Sequence, residues 1–289
     1  MVGSGFSLNA QKGISSANDF PTWSELTKSL VERLYPADIN ARAVAIQSAG
    51  ATSGVLRLAQ EFEAAFGRTN LLNHLRSVLP DTEHEPGPLH DKLMKLPWAD
   101  VFTTNYDTLL ERTALPLRER RYEVVRSISD LPLKCSPRII KLHGTLPSLN
   151  DSIVTEEDYR TYPDRFGPFV AEVQVAMVET HMCLIGFSGD DPNFLAWSGW
   201  VRDRMDERTL PIYLWTFDEP TTFQTRMLEQ RSVIPLPLTV ITGERNKSLA
   251  LAAFLEMLWN PSGRRRARWC LPRYVTHERI AKDPEYPRA

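Results

Sequence analysis

The chain has 289 residues, 42% of them apolar and 24% charged, with a formal net charge of −2. That suits one large α/β domain, or one domain with an appendage, and argues against a general nucleic-acid binder. Three widely spaced cysteines (Cys135, Cys183, Cys270) form no Cys-x-x-Cys pair, so neither a zinc site nor a disulfide framework is expected, and free thiols suit a reducing, cytoplasmic setting. No apolar run reaches the length of about 18 residues that marks a membrane span, and the start lacks the layout of a signal peptide.

The first element is a glycine loop, Gly3-Ser4-Gly5-Phe6-Ser7, of the kind that follows a buried strand. Only Met1 and Val2 precede it, so the central strand is expected to be nearly missing and the fold weakened there. Trp23–Tyr35 is amphipathic, with Trp23, Leu26, Leu30, Val31 and Leu34 on one side. The helical pattern continues through Ala41–Gln47, Ser53–Phe66, Asn70–Leu79 and Leu89–Leu96, broken at Gly67 and Asp81–Pro88, and no strand is expected there. From Asp100 onward strands and helices alternate. Strands are expected at Asp100–Thr104, Tyr122–Arg126, Arg138–Leu142, His181–Phe187, Pro211–Thr216 and Val233–Leu236. Helices are expected at Asp107–Thr113, Thr155–Tyr162, Phe166–Thr180, Asn193–Met205, Thr221–Glu229 and Leu249–Trp259. Such alternation predicts an α/β fold, a Rossmann-like parallel sheet with helices on both faces and a helical insertion at about 41–97. Residues 1–260 then form the domain, and 261–289 an Arg/Pro-rich tail.

Strand ends of an open parallel sheet share one crevice, where ligands bind. The glycine loop permits close backbone approach, with N–H groups suited to a pyrophosphate; the other reading is a flexible coil. Thr104-Asn105-Tyr106-Asp107 lies where a strand meets a helix, so Asn105 and Asp107 are either helix caps or ligand-binding groups, the Asn amide being able both to donate and to accept. His143 ends a buried strand and precedes Gly144, so it is either a packed or surface histidine or one whose imidazole is expected to point into the crevice as an acceptor of a hydroxyl proton. The other histidines lack such a setting, and no two have metal-ligand spacing. Gly186-Phe187-Ser188 can hold ribose or phosphate, whereas Asp190 breaks the Gly-x-Ser-x-Gly of a nucleophile elbow, which disfavours a serine hydrolase. Asp190 and Asp191 also read as caps of the following helix.

In this order the elements resemble the sirtuin-like NAD-consuming domains, above all the divergent bacterial branch found in anti-phage defence proteins. Gly3–Ser7 is similar to that family's Gly-Ala-Gly-x-Ser, with Ser4 in place of Ala. Pro21 and Trp23 fit its Pro-x-Trp, Thr104–Asp107 its Thr-x-Asn-x-Asp, Lys141–Gly144 its His-Gly motif, Ile153–Tyr159 a stretch typical of the bacterial branch, and Gly186–Ser188 its Gly-x-Ser. The resemblance covers roughly residues 1–245. It implies that Asn105 and His143 act on the nicotinamide ribose of NAD as catalytic residues. Gly3, Ser4, Gly5, Phe6, Ser7, Thr104, Asp107, Gly186, Phe187 and Ser188 would hold the rest of the dinucleotide, with NAD as substrate and no metal. Sirtuin deacylases usually carry a four-cysteine zinc module; this chain has no such cysteines, which favours hydrolysis of NAD to nicotinamide and ADP-ribose over deacylation. A non-catalytic module that binds NAD or ADP-ribose is the other reading. An NADase of this branch implies a regulated defence effector, acting as a homo-oligomer or with an activating partner, such as an Argonaute-like protein, an ATPase or a fused sensor. Arg264-Arg265-Arg266-Ala267-Arg268 reads as a solvated tail, or as a dock for a partner protein or nucleic-acid backbone, the one place where nucleic-acid contact is expected.

Overall fold

A computed structural model describes residues 1–13, 18–50, 52–118 and 120–259. The expected tail at 261–289, with its arginine run, lies outside the described residues.

Six parallel strands lie close to their expected places: β3 Val101–Thr103, β4 Glu123–Val125, β5 Arg138–Lys141, β6 Met182–Leu184, β7 Ile212–Thr216 and β8 Val233–Pro237. They follow two two-residue strands, β1 Gln11–Lys12 and β2 His84–Glu85, which pair antiparallel. β2 falls in the stretch expected to hold no strand; its two residues are too short a run for periodicity to reveal. The core strands are nearly continuous apolar runs because helices cover both faces of the sheet.

The hydrogen-bonded ladders form two half-sheets, β3–β5–β4 and β6–β7–β8. Val2 bridges them, pairing in parallel with Thr103 on one side and Ile185 on the other. Its N–H donates to Phe102 O (2.8 Å), while the Ile185 N–H donates to Met1 O and the Gly3 N–H to Ile185 O (both 2.9 Å). The Thr103 hydroxyl donates to Val2 O (2.9 Å). As expected, the first strand is nearly missing: it is reduced to an isolated bridge at Val2, which nonetheless joins the two half-sheets. The order across the sheet is β4–β5–β3–Val2–β6–β7–β8, and the chain reverses its direction of winding at Val2. In open α/β sheets ligands bind at such a switch point, beyond the carboxyl ends of the strands.

On one face pack Phe169, Val173 and Met177 of the Gly167–Glu179 helix and Phe194, Trp197 and Val201 of the Pro192–Met205 helix. On the other lie Leu93 and Met94 of Pro88–Lys95, Leu110 of Leu109–Ala114, and Leu251, Phe254 and Leu255 of Lys247–Trp259. Pro88–Lys95, though contiguous in sequence with the helical insertion, therefore belongs to the sheet. The helices Trp23–Leu34, Ile39–Ser48, Thr52–Phe66 and Arg68–Val78 surround a third cluster built on Leu30, Phe62, Leu71 and Leu75. That cluster closes on Leu146, Leu149 and Val154, which follow β5, and on Tyr106, which follows β3. It therefore caps the chain where the two strands end. Arg68 ties the cap down, donating to Asp158 Oδ2 (2.7 Å) and to the Ser152 carbonyl.

Candidate functional site

Asn105 sits two residues beyond β3, its N–H held by the Thr103 hydroxyl at 3.1 Å. The amide side chain is buried, and its Nδ2 donates to Ser7 Oγ (3.0 Å). The Ser7 hydroxyl in turn donates to Asp107 Oδ2 (2.7 Å), so the glycine loop and the segment after β3 share one relay. The Ser7 proton being committed to the carboxylate, its lone pairs face Asn105, and the group opposite must be the NH2. Asn105 Oδ1 is left buried with no hydrogen-bond partner among the described residues. A buried acceptor of this kind costs free energy unless a ligand or water supplies a donor.

Asp107 also accepts from the N–H of Leu109 (3.2 Å), the first residue of the next helix, whose N-cap position is held by Thr108. Burial pushes its carboxyl above the usual range, Lys141 and the Ser7 hydroxyl pull it back, and Glu111 raises it again. Lys141, the last residue of β5, is buried: its Nζ donates to the Asp107 main-chain carbonyl (2.5 Å) and stands 3.1 Å from Glu111 Oε1. Neither Glu111 carboxylate oxygen gains a well-oriented hydrogen bond from this pairing.

His143 follows β5 by two residues and is buried. Ile153 donates its N–H to the His143 carbonyl (3.1 Å), and the Tyr162 hydroxyl donates to Leu142 O (3.0 Å). The ring stands edge-on to Tyr159 and Tyr162, with centroids at 5.3 and 5.7 Å. Its Nε2 lies 3.4 Å from Asn193 Nδ2 at the start of the Pro192–Met205 helix. Burial lowers the imidazole below its ordinary pKa, against the opposing pull of Asp191 and Asp158, so the ring is neutral at neutral pH. Asp191 has two duties, accepting from the Phe194 N–H (3.0 Å) as a helix cap and from the Tyr159 hydroxyl (2.8 Å).

The glycine loop meets the turn after β6 with little room between them. A Cβ on Gly3 would stand 2.6 Å from Gly186 O, and one on Gly186, whose φ is +60°, would stand 2.3 Å from Phe6 N. The Gly3 and Gly5 amides donate to the Ile185 and Gly186 carbonyls (both 2.9 Å), so these two N–H groups serve the joint between the loops. Phe6 is a core residue packed on His90 (4.8 Å between centroids), and Phe187 packs on Phe194 (5.5 Å). Ser4 and Ser188 are exposed, with Ser188 Oγ accepting from the Asp190 N–H (3.2 Å). Thr104 is half-buried beside Asn105.

The structure thus joins Ser7, Asn105 and Asp107 in one hydrogen-bonded relay, and holds His143 at the end of the strand next to β3. Glu111 and Asn193 escaped the sequence reading, and Lys141 and Tyr159 entered it only as members of motif stretches, with no role of their own. Lys141 looked like one more strand residue, and Asn193 only like the start of a helix. A polar residue inside an otherwise apolar run was the one signal that marked Lys141. Among the described residues no group of His, Cys, Asp and Glu could hold a metal ion, and no helix is long and apolar enough to cross a membrane.

Residues 99–236 match the SIR2-like domain family. The chain is 29% identical to an NAD(+) hydrolase ThsA of Acinetobacter baumannii (strain 532279) over 193 residues, 65% of this chain and 37% of that protein. It is 26% identical to defense-associated sirtuin 2 of Bacillus subtilis over 219 residues, 74% of this chain and 21% of that protein. With the NAD(+) hydrolase ThsA of Bacillus cereus (strain MSX-D12) it shares 24% identity over 193 residues, 64% of this chain and 37% of the relative. The chain spans well under half the length of these relatives. Its parallel sheet and these likenesses agree: residues 99–236 are similar to the SIR2-like domain family.

Proposed function

We propose that this domain hydrolyses NAD to nicotinamide and ADP-ribose, with Asn105 and His143 as its catalytic residues, in the service of anti-phage defence. The observation that carries the reading is Asn105 Oδ1, a buried acceptor without a partner at the carboxyl end of β3, in a chain similar to proteins named NAD(+) hydrolase.

In the reaction the bond between the ribose carbon and the pyridinium nitrogen breaks, and its electron pair neutralises the departing nicotinamide. No general acid is needed for that leaving group. Positive charge develops on the ribose, as in other glycosidic cleavages, and a water oxygen forms the new bond. Asn105 Oδ1 orients that water or a ribose hydroxyl by accepting its proton in a hydrogen bond. His143, kept neutral by burial, takes a proton from a ribose hydroxyl or from the water. Asp107 and Ser7 support the amide. The exposed Ser4 and Ser188, together with Gly186, border the place for the rest of the dinucleotide.

Unrestrained turnover of NAD would poison the host. The proposal therefore includes a low resting activity in the cytoplasm, raised by self-association or by a partner protein. NAD loss measured over a range of protein concentrations tests it. Wild type should consume NAD, and Asn105→Ala and His143→Ala should each slow it about a hundredfold or more. Equal loss from all three overturns the assignment.

A further inference from the structure

The direction in which Asn105 points is set by protons some distance from it. Ser7 has a single hydroxyl proton, and Asp107 Oδ2 receives it at 2.7 Å. The Asn105 NH2 therefore faces Ser7 (3.0 Å) and Oδ1 faces away. Were the Asp107 carboxyl protonated, it could donate to Ser7 Oγ and leave the Ser7 proton for Asn105. The amide would then turn Oδ1 toward Ser7 and offer NH2 to the crevice, and an acceptor for water would become a donor.

The groups that bear on Asp107 come from three elements. Ser7 lies in the glycine loop, and the Leu109 N–H and the Glu111 carboxylate belong to the helix that follows Asp107. Lys141, from β5, is the cation among them, its Nζ 2.5 Å from the Asp107 carbonyl and 3.1 Å from Glu111. One helical turn away, Arg112 and Asp81 are paired with each other at 3.3 Å. Lys141 has no exposed side-chain surface, so its charge is little screened by water.

We propose that Lys141 is a positioning residue of this site: it holds the Asp107–Glu111 turn in place and keeps Asp107 a carboxylate, and through Ser7 it turns Asn105 Oδ1 away from Ser7, open to a donor from a ligand or water. The inference rests on the NAD-hydrolysis reading for its effect on activity, but not for its effect on Asp107. Two readouts separate them. The first is the pH profile of NAD consumption for wild type, Lys141→Met and the charge-balanced Lys141→Met/Glu111→Gln. The acid limb should move up by about one pH unit in Lys141→Met, a tenfold loss on that limb that high pH recovers. It should move part of the way back in the double variant, which also serves if the single variant does not fold. The second is a carbon-13 NMR titration of the Asp107 carboxyl, assigned by Asp107→Asn, whose midpoint should rise in Lys141→Met. A folded variant with an unmoved Asp107 midpoint, or with activity reduced equally at every pH, overturns the proposal. If wild type consumes no NAD, the functional reading fails, and the titration still decides the role of Lys141.

Discussion

Thr103→Val is the sharpest probe of how the sheet and the site are joined. The Thr103 hydroxyl is fully buried, donates to Val2 O at 2.9 Å and accepts from the Asn105 N–H at 3.1 Å. Valine matches its shape but supplies neither bond, leaving a carbonyl and an amide buried without that partner. At about 1–3 kcal/mol for each of the two orphaned groups, the substitution should cost about 2–6 kcal/mol. Thr103→Ser keeps both bonds and removes one methyl, a loss of about 1 kcal/mol. Denaturant unfolding of both variants, analysed with a common slope, measures the difference. Should Thr103→Val fall within about 0.5 kcal/mol of Thr103→Ser, the hydroxyl bridge is energetically idle and the reasoning fails. On the functional reading, Thr103→Val should also slow NAD turnover more than Thr103→Ser, since it frees the backbone beneath Asn105.

Three further outcomes are expected. Gly186→Ala combines a positive φ with a Cβ 2.3 Å from the Phe6 amide, so the loops must separate; a loss of about 2–4 kcal/mol on unfolding is expected, and an unchanged stability would refute the tight joint. Asn193→Asp places a carboxylate beside His143 Nε2 and should raise the imidazole pKa by about one unit or more, read from the ring proton shifts in NMR; no rise would remove Asn193 from contact with the ring. His90 is buried and its pKa is lowered to about 4, chiefly by burial and secondarily by Arg112. A depressed folded-state pKa favours the fold above the unfolded value near 6.5 and loses that contribution as pH falls toward about 4, at most by about 3 kcal/mol. His90→Gln should flatten the fall of unfolding free energy between those values, and an unaltered slope would exclude His90 as its source.

Much of the architecture could be read along the chain. Runs such as Val101-Phe102 and Ile139-Ile140, followed by helices with apolar residues at helical spacing, announce a parallel sheet because each pattern has only one way to bury its apolar side. Asn105 and His143 stood out for the same local reason: each is a polar residue just past a buried strand. The roles of Gly3 and Gly5 were less legible, since whether an amide is open or spent depends on what faces it, here the Ile185 and Gly186 carbonyls.

By itself the sequence determined the order of strands and helices and marked the polar residues that follow the strands, because periodicity, capping and chain reversal act over a few residues. The tertiary structure alone decided that Met1–Gly3 joins two half-sheets, that Asn193 meets His143, and that Ser7, nearly a hundred residues from Asn105 in sequence, sets its orientation. Those outcomes turn on hydrogen bonds between distant segments, where burial leaves each donor and acceptor a single partner to find.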